Sequence, residues 1–293
     1  MERFVQLVVD GVAIGSVYGA LALALVLIFR STGIVNFAQG EMAMFSTFIA
    51  WALVESGQPL GLALLAALAL SFVGGMLVER LVIRPVEGED QLTILIVTLG
   101  LFILVNSGAG WIWGFENRAF PRALPGGSAD VAGVRLSWES LGILAVLLVV
   151  VGLLFLLFQR TKLGLAMRAV AANPASSRLV GISVGRTLMI GWGLAALIGA
   201  VAGVLVAPLL FLDVNLMGGV LVYSFAAATL GGFDSPKGAV IGGWIIGVAE
   251  TLAGSYIGFI GSDLTILVPL VIILGVLLVR PTGLYGSPEV VRA

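Results

Sequence analysis

The chain contains no cysteine and no histidine, and only 11% of its 293 residues are charged. Without cysteine there is no disulfide framework and no thiolate nucleophile; without both, the ligands of structural zinc sites and of histidine-bound haem are missing. Serine–histidine and cysteine–histidine catalysis are excluded on the same ground. The lack of cysteine also leaves the redox compartment open. Soluble domains carry about 25% charged residues. A chain this poor in charge, 60% hydrophobic with a mean hydropathy of +1.15, cannot cover itself with polar surface in water. In lipid, its apolar runs become spanning helices.

What is present is a succession of such runs. They extend over about 4–29, 37–54, 60–81, 91–113, 141–158, 187–210, 219–230, 239–257 and 264–279. The pattern predicts an all-α, polytopic transmembrane helical bundle of 8–9 spans, organised as one membrane domain over 1–293. The runs at 37–54 and 219–230 are short or polar enough to be broken or re-entrant. The first run is too long for a signal peptide and is followed by further spans. Residues 114–136, rich in Gly and Pro, read as a connector.

Threading these spans places Arg30, Arg80, Arg84, Arg160, Lys162, Arg168, Arg178, Arg186, Lys237, Arg280 and Arg292 on one side and only Arg3, Arg118, Arg122 and Arg135 on the other. Basic residues gather in cytoplasmic turns. The N-terminus and the 114–136 connector are therefore expected outside and the C-terminus inside.

Glycine numbers 40, about twice its ordinary frequency. Gly15 and Gly19, Gly199 and Gly203, Gly238 and Gly242, and Gly243 and Gly247 are each four apart and share a helix face, the pattern that lets helices approach closely in lipid.

Between the fifth and sixth runs lies the longest basic stretch, 159–186. Residues 163–172 predict one short helix ending at Asn173-Pro174, and 175–181 a second. The bland reading is a basic loop on anionic lipid. The functional reading is a docking knob, in which small residues such as Ala171, Ala175, Ser176 and Ser177 let a helix enter a cleft.

Seven blocks carry a resemblance: Gly15-Ser16-Val17-Tyr18-Gly19-Ala20-Leu21, 33–41 (GIVNFAQGE), Arg84-Pro85, Gly164-Leu165-Ala166-Met167-Arg168-Ala169, Gly181-Ile182, 231–239 (GGFDSPKGA) and 280–286 (RPTGLYG). As a set the sequence resembles the membrane permease subunits of prokaryotic ATP-binding-cassette importers for branched-chain amino acids, a family that includes urea and short-chain amide permeases. The resemblance implies a non-catalytic subunit in a prokaryotic plasma membrane, forming half of a translocation pathway and binding no cofactor of its own. It implies a paralogous permease subunit, two cytoplasmic ATP-binding subunits and an extracytoplasmic solute-binding protein as partners, with membrane lipid around it and no nucleic acid. Coupling to the ATPase would fall on Arg168, Ala175, Ser176, Ser177, Arg178 and Gly181. There the chain departs from the importers' Glu-Ala-Ala to Gly pattern, since Ala175 replaces the glutamate.

The resemblance also places Asn36, Phe37, Gln39, Gly40 and Glu41 near the pathway. The alternative for the polar members is capping of a helix, with the carboxylate at the interface. Glu250 stands in the middle of a span, where a carboxylate turns toward a bundle interior, so it reads as an inter-helix hydrogen bond or a gate. Asp10 and Asn106 follow more weakly, and Asp213, Asp234 and Asp263 read as interfacial. The 231–238 turn is not a nucleotide loop, because Gly-x-x-x-x-Gly-Lys-Ser/Thr is absent, and it reads as a tight junction between a half-span and the next helix. Two other classes stay open at this point: an autonomous channel or secondary transporter, and an intramembrane enzyme. For the latter the sequence offers no nucleophile–base pair and no close carboxylate pair.

Overall fold

A computed structural model of the chain describes residues 2–131, 133–261 and 264–286; Asp263 and Arg292 lie outside them. The described residues form eleven α-helices: α1 (Glu2–Thr32), α2 (Gln39–Glu55), α3 (Leu60–Val78), α4 (Gln91–Trp113), α5 (Trp138–Arg160), α6 (Lys162–Ala172), α7 (Pro174–Leu179), α8 (Val184–Leu210), α9 (Leu216–Gly231), α10 (Pro236–Tyr256) and α11 (Leu267–Val279). Six are long and apolar enough to cross a bilayer: α1, α3 with its continuation to Val86, α4, α5, α8 and α10. The two segments the sequence marks as doubtful become α2, of 17 residues, and α9, of 16. Each is about 25 Å long against a hydrocarbon core of about 30 Å. The last run is shorter than its sequence suggests: α11 has 13 residues, with Pro269 in the first turn where a missing N–H costs least.

The connector contains a small hairpin, β1 (Ser128–Val131) pairing antiparallel with β2 (Val134–Ser137) in the register Ser128↔Ser137. Asp90 caps α4 by accepting the Thr93 N–H at 2.8 Å, and donation by Thr93 holds its carboxyl below the usual range.

Two compact units are drawn from the chain, one within Met1–Val26, Leu124–Leu147 and Gly219–Ala293, the other within Leu27–Ala123 and Leu148–Gly218. In the first, α1 and α10 run antiparallel through glycine. A methyl group added at Gly15 would stand 2.5 Å from the Gly243 carbonyl oxygen, and one at Gly243 would stand 2.5 Å from the Gly19 Cα. Gly247 abuts Gly11 and Gly15 in the same way. Hydrogen bonds run beside this seam, from Trp244 Nε1 to Ser16 Oγ at 3.0 Å and from Thr251 Oγ1 to the Leu7 carbonyl at 3.0 Å. Gly238 and Gly242 serve a different contact, meeting Gly231 and Ala227 of α9 across the turn. That turn is closed from the far end of the sequence. The N–H groups of Leu284 and Tyr285 donate to the Leu230 and Gly231 carbonyls at 2.8 and 3.0 Å, satisfying the last acceptors of α9.

The second unit is built around α8. Gly75 of α3 lets the two backbones touch, since a methyl there would lie 2.6 Å from the Trp192 carbonyl oxygen. Gly199 and Gly203 face α2, meeting Gln39, Ala43 and Thr47. At its Leu210 end α8 is tied to the connector, where Arg118 and Leu212 exchange two backbone hydrogen bonds of 2.9 Å. The Arg118 guanidinium lies 4.3 Å over Trp51 of α2 and donates to the carbonyl of Trp113, at the end of α4.

Candidate functional site

Three polar constructions stand out among the described residues. The first is the start of α2. Chain reversal after α1 uses Gly33 at φ +70°, and the Asn36 carboxamide oxygen accepts the Ala38 N–H at 3.0 Å, which turns the chain into the helix. Asn36 Nδ2 donates to Gln39 Oε1 at 3.2 Å, and Gln39 Nε2 donates to the Ala195 carbonyl of α8 at 3.0 Å. Asn106 of α4 donates to Glu41 Oε2 at 3.0 Å and to the Val214 carbonyl at 2.8 Å. Asn36 and Gln39 are 0% exposed and Glu41 is 1% exposed. Capping does not hold them, because the N-cap position is Ala38 and no side chain caps the helix. Ala195 and Asn106 stand well inside α8 and α4, about 16 and 22 Å from the Val184 and Gln91 ends at 1.5 Å per residue. The α2 helix therefore begins deep within this unit, not at its surface. One turn further on, Ser46 Oγ lies 2.9 Å from Ser71 Oγ, and Ser71 donates to the Ala196 carbonyl at 2.8 Å.

The second construction is Glu250 in α10. The Tyr18 hydroxyl of α1 donates to Glu250 Oε2 at 2.7 Å, so the carboxylate bridges the two helices of the glycine seam. Tyr18 stacks on Tyr223 with ring centroids 4.7 Å apart, and the Tyr223 hydroxyl donates to Thr265 Oγ1 at 3.1 Å. Of the weaker candidates, Asn106 joins the first construction. Asp10 stays exposed and accepts from Gln6, its neighbour one turn back, at 3.0 Å.

The third is the short two-helix segment after α5. Thr161 caps α6 by accepting the Gly164 N–H at 3.0 Å, and Asn173 caps α7 by accepting the Ser176 N–H at 2.9 Å, with Pro174 in the first turn. Gly181 closes the segment at φ +83°, a conformation that suits glycine. Ala175, Ser176, Arg178 and Gly181 are exposed, whereas Ser177 is buried and turns its hydroxyl back to the Asn173 carbonyl at 2.8 Å. Arg168 is half-buried. The tip is apolar, with Leu179 88% exposed.

Sequence reasoning missed several partners. Tyr18 was visible only as one residue of a glycine-flanked block, and no short-range signal links it to Glu250. Ser46 and Ser71 are ordinary in sequence. Arg80 and Arg84-Pro85 read as the basic end of the third run, and Glu79 carried no reading; Arg84 in fact pairs with Glu79 at 2.7 Å and also donates to the Gly185 carbonyl at 2.7 Å. The π-turn at Glu79–Ile83 makes this possible by bringing residues five apart onto one side.

No metal-holding cluster of His, Cys, Asp or Glu occurs among the described residues. Comparison with known proteins gives the arrangement its context. Residues 7–277 match the family described as branched-chain amino acid transport system, permease component. The high-affinity branched-chain amino acid transport permease BraD of Pseudomonas aeruginosa is 32% identical, over 98% of this chain and 97% of that protein. LivH of Salmonella typhimurium, named for the same transport, is 29% identical over the same shares. A probable LivH of Methanocaldococcus jannaschii is 29% identical over 91% of this chain and 87% of its own length. A family match across nearly the whole chain, joined to a multi-pass helical membrane architecture, makes this chain a member of the branched-chain amino acid permease component family.

Proposed function

We propose that this chain forms half of the membrane passage of an importer for branched-chain amino acids, driven by separate ATP-hydrolysing subunits. The permease names of its relatives favour that solute class; urea and short amides are the competing solutes. The observation that carries the coupling half of the reading is the exposed segment α6–α7, a capped, compact pair of helices presenting Leu179 and Arg178. It would receive the ATPase on the cytoplasmic face, with the N-terminus outside and the C-terminus inside, as the basic residues favour. A paralogous permease would complete the passage and a solute-binding protein would deliver to it. The start of α2 supports the pathway half. A helix that begins inside a bundle directs its positive end there, and Glu41 adds a carboxylate beside it, so both charges of a zwitterion find complements. Asn36, Phe37, Gln39 and Gly40 would shape that end, and Glu250 would act as a gate or brace.

The test is reconstitution with the ATPase and binding-protein partners. Gly181→Leu forces a branched side chain into a left-handed position at the docking tip. It is expected to abolish solute-stimulated ATP hydrolysis while the binding protein keeps its solute affinity. Full stimulation and full transport in that variant reject the coupling role. Transport by the purified chain with no ATPase present would instead identify an autonomous transporter.

A further inference from the structure

Where α1 and α5 end, the second unit holds a groove lined by Leu27, Arg30, Phe158, Met167, Arg168 and Ala171. The Arg30 guanidinium lies 6.0 Å from the Phe158 ring centroid, a contact that fixes its direction without neutralising it. Arg168 reaches a neutral partner, Gln159 Oε1, at 3.4 Å. Among the described residues the ion pairs are Arg84–Glu79 and Arg135–Asp130, so neither arginine of the groove has a carboxylate. Nor is one near in sequence, since no Asp or Glu occurs between Glu139 and Asp213, nor between Asp10 and Glu41. Glu41 itself is buried against Asn106. Arg30 could be explained by the carbonyl end of α1 alone. Arg168, in the interior of α6, has no such role.

The surroundings are those of a membrane boundary. Both long helices are spans that carry an arginine in the last turn, Arg30 in α1 and Arg160 in α5, where basic side chains reach the level of headgroups. The floor of the groove is apolar, from Leu27, Met167 and Ala171. Phe155 of α5, one turn before Phe158, and Leu165 of α6, one turn before Arg168, are 54% and 59% exposed. Two guanidiniums over an apolar floor, with uncovered apolar side chains on the same helix faces, suit a phosphate that carries acyl chains. We propose that this groove is a binding site for an anionic glycerophospholipid, whose phosphate sits between Arg30 and Arg168 and whose upper acyl carbons cover Phe155 and Leu165. This is a defined site, distinct from the diffuse attraction of a basic loop to a charged surface, and it does not depend on the transport reading.

The full-length chain is placed in nanodiscs of phosphatidylcholine with a minority of phosphatidylglycerol, extracted, washed, and its retained lipid quantified by mass spectrometry. Wild type is expected to retain phosphatidylglycerol above its bulk share. Arg30→Gln and Arg168→Gln should each reduce that enrichment about fivefold, the weight of one cation at a lipid surface, and the double variant should erase it. Ala171→Leu fills the groove and removes no charge, so its loss of enrichment would show that shape matters even if an arginine variant folds poorly. Lys162→Gln, one cation removed outside the groove, should leave enrichment unchanged. Undiminished enrichment in the double variant overturns the site. An equal loss in Lys162→Gln reduces it to diffuse attraction, and displacement of the lipid by inorganic phosphate overturns the lipid as the ligand.

Discussion

Tyr18 is 4% exposed and has one hydroxyl proton to place, which it gives to Glu250. The two residues are 232 apart in sequence and adjacent in space. Glu250→Leu deletes the acceptor and leaves a buried donor without its partner, a loss of about 1–3 kcal/mol. Glu250→Gln keeps an acceptor and is expected to cost less, about 0.5–1.5 kcal/mol. Adding Tyr18→Phe to Glu250→Leu should restore part of the loss, because the orphaned hydroxyl goes too. Thermal unfolding of the purified chain in detergent measures all three; wild-type stability in Glu250→Leu would dismiss the bridge. Glu250 was legible in the sequence as a carboxylate that needed a partner, because charge inside a span is rare. The identity of the partner was not, since no periodicity connects α1 to α10.

At the scale of elements, the runs of the sequence and the helices coincide closely where termini are chemically marked. The run at 91–113 is α4 itself, begun by the Asp90 cap and ended at Gly114 with φ +81°. The short helices at 163–172 and 175–181 emerge as α6 and α7, each opened by a side-chain cap. Agreement fails where the backbone departs from α geometry. The third run continues past its charged end through a π-turn and a 3-10 turn to Val86, and β1–β2 are four-residue strands too short to show alternation. The glycine spacing was readable, but which helix each pair touches was not: Gly238 and Gly242 face α9 while Gly243, next in sequence, faces α1. Gly243→Leu would drive its side chain into the backbone of Gly19, which cannot yield as a side chain can. Overpacking of about 1–3 kcal/mol or more is expected. Gly152→Leu, where an added methyl meets nothing within 4 Å, should be nearly neutral. Equal thermal stability of the two variants would reject the seam.

For the whole molecule, orientation is the property on which partner assignment depends, and the chain's lack of cysteine makes it measurable. Single cysteines at exposed Pro125 and Ser176 are expected to react oppositely with an impermeant thiol reagent on intact cells, Pro125→Cys labelled and Ser176→Cys protected until lysis. The reverse pattern inverts the topology and removes α6–α7 from the cytoplasm. The order of the two units along the chain has a further consequence, for synthesis. Every residue of the Leu27–Ala123 and Leu148–Gly218 unit has been made once Gly218 is added. The other unit begins with α1 and waits for α10 and for the 280–286 segment that closes α9. At about 5–20 residues per second, the 232 residues between Tyr18 and Glu250 take roughly 12–46 s to synthesise. Throughout that interval the glycine face of α1 and the Tyr18 hydroxyl are in the membrane without α10, so α1 is inserted long before the neighbour it packs against, and a nascent chain arrested before residue 236 exposes that face to whatever insertase or chaperone surveys the bilayer.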